Sequence, residues 1–159
     1  MKKYLIILIF ICLFVFVGCS QTQNSYTISY DLNGGEASNL VTNFEAGTKV
    51  ELIVPEKEGY DFLGWYQGNN KIEVIEDQNY TLVANWKIKT YTITYDLDGG
   101  SCDDLIEKFE HGQSVNLKTP TKEGHIFSGW YQGEEKIEVI NNQNYTLVAK
   151  WEVENVTKA

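Results

Sequence analysis

The stretch Tyr26-Thr27-Ile28-Ser29-Tyr30-Asp31-Leu32-Asn33-Gly34-Gly35 decides the fold, and it returns almost unchanged as Tyr91-Thr92-Ile93-Thr94-Tyr95-Asp96-Leu97-Asp98-Gly99-Gly100. In both copies every second residue from the first tyrosine is large and apolar, which is the signature of a half-buried β-strand. Asn-Gly and Asp-Gly are turn dipeptides of β chains, so each strand ends in a tight turn. The closing stretches Tyr80 to Trp86 and Tyr145 to Trp151 alternate in the same way. Both ends of the repeated unit are therefore strands.

Residues 26–86 and 91–151 align without a gap, and 37 of their 61 positions are identical. This is a tandem duplication, with a period longer than the roughly 20–50 residues of solenoid repeats. At about 60 residues each copy is near the lower limit for a domain that folds alone. Between the outer strands, Val50 to Leu52 and Phe62 to Tyr66 read as short strands and Lys71 to Val74 as a possible one, while Asn39 to Glu45 has the length of a single helical turn. Copy one holds nine aromatic residues, each able to bury about 150–250 Å², so aromatic packing must dominate the core. Residues 87–90 are the only linker and contain no Gly, Pro or Ser, which predicts a stiff two-bead rod.

Ahead of the repeats, residues 1–18 combine two lysines, an unbroken apolar run from Tyr4 to Val17, and Gly18. That is the layout of an export signal, and the run is short for a membrane span, which needs about 20 apolar residues. Val17-Gly18-Cys19 resembles the lipobox of bacterial lipoproteins, with Phe16 standing where that box usually has Leu or Val. The resemblance implies cleavage before Cys19, lipid on its thiol, and attachment to the outer face of a bacterial cell membrane. Residues 19–25 are then a lipidated N-terminus and spacer, and 152–159 a polar tail. Without residues 1–18 the basic count falls from 13 to 11 against 22 acids, so 11 − 22 = −11. A chain this acidic with no basic stripe excludes nucleic acid as a partner. Cys102 is the single thiol left, faces Ala37 at the matching place in the first copy, and reads as a bystander.

The order Y-T-I-x-Y-D-x-x-G-G, F-x-x-G, V-x-L, P-x-K-E-G, F-x-G-W-Y and Y-T-L-V-A-x-W resembles the Listeria/Bacteroides repeat, the B-repeat of internalin B, over 26–86 and 91–151. The resemblance implies a mainly β, small α+β architecture: two tandem β-grasp-like domains, each a short mixed sheet with its first and last strands adjacent, following an N-terminal signal helix. It also implies a bacterial surface protein.

Chemistry is sparse. Asp31-Leu32-Asn33-Gly34-Gly35 and Asp96 to Gly100 imitate the start of a calcium loop, but position 12 is Thr42 in one copy and Glu107 in the other, so the turn reading is preferred and no metal or cofactor is expected. Glu73, Glu76 and Asp77, against Glu138, Asn141 and Asn142, are the carboxylates an envelope glycan-acting enzyme would have to use. No nucleophile-base set accompanies them, so no catalytic residue is assigned. Binding residues are better candidates. Trp65-Tyr66 and Trp130-Tyr131 precede Gln-Gly, and alternation turns one ring of each pair outward unless a bulge intervenes. The expected function is a non-enzymatic spacer or adhesion module presenting these rings to a protein or glycan.

Overall fold

The computed structural model describes residues 24–155, so the expected signal helix and Cys19 lie outside the described residues. Ten strands and no helix form among the described residues. In the first repeat they are β1 (Ser25–Asp31), β2 (Asn43–Glu45), β3 (Tyr60–Gln67), β4 (Asn70–Ile72) and β5 (Tyr80–Ile88). In the second they are β6 (Thr90–Asp96), β7 (Lys108–Glu110), β8 (His125–Gln132), β9 (Glu135–Lys136) and β10 (Tyr145–Val153). Each repeat is one five-stranded mixed sheet, ordered β2-β1-β5-β3-β4 and β7-β6-β10-β8-β9.

The first and last strands of a repeat pair in parallel, with Ile28 opposite Tyr80 and Ile93 opposite Tyr145. All other pairings are antiparallel. Alternation places Ile28, Leu82 and Ala84 on one face, where they are sealed with Phe44, Trp65 and Tyr80. On the other face Ser29 Oγ lies 3.2 Å from Thr81 Oγ1, and Thr94 and Thr146 repeat the contact at 3.2 Å. The cores are aromatic, as expected: Tyr30 and Phe62 meet Trp65 edge-on and Phe62 in turn meets Trp86, a chain repeated by Tyr95, Trp130, Phe127 and Trp151.

Two local expectations are corrected. Asn39 to Glu45 forms no helical turn; its last three residues pair with β1 as an edge strand. Phe44 is thereby turned into the core. Val50 to Leu52 joins no ladder, although Val50 and Leu52 pack against the core. The stiffness expected of linker 87–90 has its cause in strand structure: Lys87 and Ile88 still pair with Asp61 and Tyr60, and β6 begins at Thr90. Lys89 is the single residue between the two sheets.

Candidate functional site

The bulge between Phe62 and Gly64 decides the fate of the proposed aromatic pairs. An extra residue in one strand resets the alternation, so Phe62 and Trp65, three apart, share the core face. Trp65 and Trp130 are each only 3% exposed, and each indole N–H donates to a main-chain oxygen, of Ile53 and of Lys118, at 2.9 Å. As partner-binding candidates these two tryptophans are corrected: their rings are core. Tyr66 and Tyr131 remain half-exposed on the opposite face. Lys150 lies 4.2 Å above the Tyr131 ring, whereas Asn85 holds that place beside Tyr66.

The carboxylates do not converge. Glu73 pairs with Lys71 at 3.4 Å and Glu138 with Lys136 at 4.0 Å, both on the exposed surface. Asp77 accepts the Gly47 N–H at 2.8 Å, and Asn142 does the same for Gly112. Because an amide oxygen serves equally well, Asp77 acts as a loop fastener. The Asp31 element is a turn: Asn33 and Gly34 have φ of 47° and 79°, the pattern of a type I′ turn. The Asp31 carboxylate accepts the Asn33 N–H at 2.8 Å. Asp96 and Asp98 reproduce this at 2.9 Å.

The feature that sequence reasoning missed is the junction. The Lys89 N–H donates to Gly59 O of the first repeat, and its carbonyl accepts the His111 N–H of the second, at 2.8 and 2.9 Å. The His111 ring rests on Gly59, so close that a Cβ there would collide with it, and its Nδ1 is 3.3 Å from Tyr91 Oη. The only signal in the chain is that Ala46 occupies the matching position in the first repeat. Beside the junction opens a groove of about 1370 Å³, whose lining includes Glu36, Val54, Glu56, Tyr60, Trp86 and His111.

Burial shifts two tyrosines. The Tyr30 phenol is pushed above its ordinary value of 10.0 by desolvation. Tyr95 is pushed up by desolvation first and then by the neighbouring Cys102 and Glu107 charges. Each hydroxyl donates to a main-chain oxygen, of Val41 at 3.1 Å and of Ile106 at 3.0 Å.

Two small mixed sheets in tandem, built on aromatic cores and joined through one shared residue, define a class of β-repeat module. The chain belongs to the Listeria-Bacteroides repeat domain family, whose model matches residues 26–86 and 91–150. It is 37% identical over 145 residues to an Evansella cellulosilytica protein whose name refers to a membrane, covering 83% of this chain and 22% of that protein. It is 34% identical over 119 residues to Internalin H of Listeria monocytogenes, covering 69% of this chain and 21% of that protein. The chain thus spans about a fifth of the length of these relatives. Among solved structures, SHIRT domains 3-4 from a streptococcal cell surface protein align over 81% of this chain and 97% of theirs, at 18% identity and a TM-score of 0.29.

Proposed function

We propose that this chain is a non-enzymatic cell-surface lipoprotein, held at the outer face of a bacterial membrane by lipid on Cys19, whose tandem repeats act as a spacer or adhesion module. One observation carries the reading: Lys89 is hydrogen-bonded to both repeats, so the duplication builds a two-repeat unit in which the modules meet at a defined contact. Membership of the repeat family and the name of Internalin H support a place at the envelope surface. Lipid, rather than charge, would hold so acidic a chain at a bilayer.

The test is cell fractionation with surface proteolysis on Cys19→Ala. The wild-type chain is expected in the membrane fraction and open to added protease, and the variant is expected to be released or left unprocessed. Normal maturation with unchanged membrane retention would sink the lipoprotein reading. A peptidoglycan-release assay on the purified chain is expected to be blank; release that disappears in Glu73→Gln or Glu138→Gln would replace the module with an enzyme.

A further inference from the structure

The two repeats differ most tellingly around the junction groove. Glu36 and Glu56 face each other across an isolated antiparallel bridge, joined by two main-chain hydrogen bonds of 2.8 and 2.9 Å. Directly paired residues project to the same side, and like charges so placed destabilise the pairing. The second repeat carries Ser101 and Thr121 at the same bridge, with their hydroxyls 3.3 Å apart, so the scaffold itself has no need of acids here. Glu58 and Asp61 also line the groove. None of these four carboxylates makes an ion pair among the described residues. Lys57 and Lys89 line the same groove, but neither makes an ion pair with these acids; the Lys57 ammonium donates to Asn33 O at 2.8 Å and sits 4.4 Å over the Tyr60 ring, so four acids face two lysines.

Next to the acids lie two exposed apolar side chains. Val54 is 68% exposed and Ile53 39%, where the second repeat has Thr119 and Lys118. Val54 joins no ladder, and its N–H and C=O make no hydrogen bond among the described residues. The groove thus offers unpaired acids, exposed apolar side chains and free main-chain groups side by side. An amino sugar would use the acids and the aromatic rings but leave the free main chain idle. An extended peptide carrying Lys or Arg among apolar residues uses all three, pairing its backbone with the chain at Val54.

We propose that the junction groove of the first repeat docks a cationic, extended peptide segment of a partner protein, with Glu36 and Glu56 gripping its cationic side chain and Val54 its backbone. This rests on the binding-module reading above and gives it a site and a ligand class. The opposed acids trade stability for recognition, a pattern expected of functional surfaces.

The experiment uses the full chain in detergent and an end-blocked fluorescent peptide alternating lysine and valine, followed by anisotropy and by the Val54 amide signal in NMR. Expected is saturable binding that weakens with added salt and moves the Val54 signal. The variant Glu36→Ser/Glu56→Thr, which carries the second repeat's own residues, is expected to bind about tenfold more weakly while its Tm rises by a few degrees. A purely structural role for these acids would not lower affinity and raise stability together. Unchanged affinity in that variant overturns the proposal. So does equal binding of the same peptide with glutamate for lysine, and so does preference for a chitosan oligomer, which would make the groove a glycan site. Failure of every cationic probe overturns this site alone, because the Cys19→Ala fractionation tests the surface-module reading separately.

Discussion

The first repeat and the second share a sheet order, a register and an aromatic core, yet one pair of corresponding glycines has entirely different neighbours. Gly59 is buried beneath His111, whereas Gly124 is exposed and a Cβ there would touch nothing. The two residues have nearly the same backbone, with φ of 75° and 68°. Local structure therefore requires a glycine in both repeats, and only the neighbour distinguishes them. At other groove positions the partly buried aromatic pairs Phe62/Phe127 and Trp86/Trp151 are kept, while Glu36/Ser101, Val54/Thr119, Glu56/Thr121, Tyr60/His125 and Asp61/Ile126 differ.

The hardest way to break the symmetry is through the cores. Leu82→Ala and Leu147→Ala each empty a fully buried site, at a cost of about 2–5 kcal/mol, which is comparable with the whole stability of a unit of this size. Each is expected to unfold its own repeat and leave the other folded, as followed by the indole N–H signals of Trp65 and Trp130. Simultaneous loss of both signals would mean that the junction couples the repeats into one cooperative unit.

A smaller and symmetric effect is expected at Gly35 and Gly100. A Cβ at Gly35 would strike the Trp86 ring and lie 2.9 Å from Glu56 O, and at Gly100 it would strike Trp151 and lie 3.0 Å from Thr121 O. Overpacking of this kind costs about 1–3 kcal/mol, so both alanine variants should lower chemical-denaturation midpoints alike. Unequal losses would show that the Glu36–Glu56 bridge is softer than its neutral counterpart.

Gly59→Ala and Gly124→Ala separate the backbone's requirement for glycine from the neighbour's. Both place a side chain at positive φ, at about 1–2 kcal/mol, but only Gly59→Ala also displaces His111. It is expected to broaden the small-angle scattering profile, and His111→Ala in the same chain should restore it, a coupling that a double-mutant cycle measures. Inserting a flexible Gly/Ser stretch after Lys89 should broaden the profile in the same way. A wild-type chain that already scatters as two freely jointed beads would remove the junction's structural role.

The least disruptive probe is alkaline pH. A phenol whose value is raised by folding stays protonated where the unfolded chain has lost its proton, so its contribution to stability is full below about pH 10 and falls as pH climbs above it. Tyr95 has the additional Cys102 and Glu107 charges, where the first repeat has Ala37 and Thr42. Ultraviolet titration should find both phenols ionising above their ordinary value, and Cys102→Ala should lower that of Tyr95 while leaving Tyr30 unchanged.

The outer strands were legible because a period of two over seven residues fixes both the strand and the face it buries, as Ile28 and Leu82 illustrate. The adjacency of first and last strands came with the family resemblance. The middle of each unit was less so. Val50 and Leu52 alternate but cap the core from a loop, and alternation cannot distinguish a loop lying on a core from a strand in a ladder. Asn43 to Glu45 is too short for any periodic signal, and its strand exists only because β1 offers an edge. The Trp65-Tyr66 pair lies on the expected strand, but the burial of the tryptophan depends on a bulge between Phe62 and Gly64; a glycine inside a strand hints at a bulge without fixing which ring it turns inward. His111 was invisible for a different reason: its partner Gly59 lies in the other repeat, and contacts between repeats leave no periodicity within either.

The parallel pairing of β1 with β5, and of β6 with β10, has a mechanical corollary. Tension on a repeat pulls backward on the start of its first strand and forward on the end of its last. These two strands run side by side in the same direction, so the pull slides one along the other and loads their hydrogen bonds together instead of peeling them apart in turn. With β5 passing into β6 through Lys89 alone, tension leaves the first sheet and enters the second along nearly unbroken strand. Each repeat is thus gripped in shear, the geometry that suits a tether under drag.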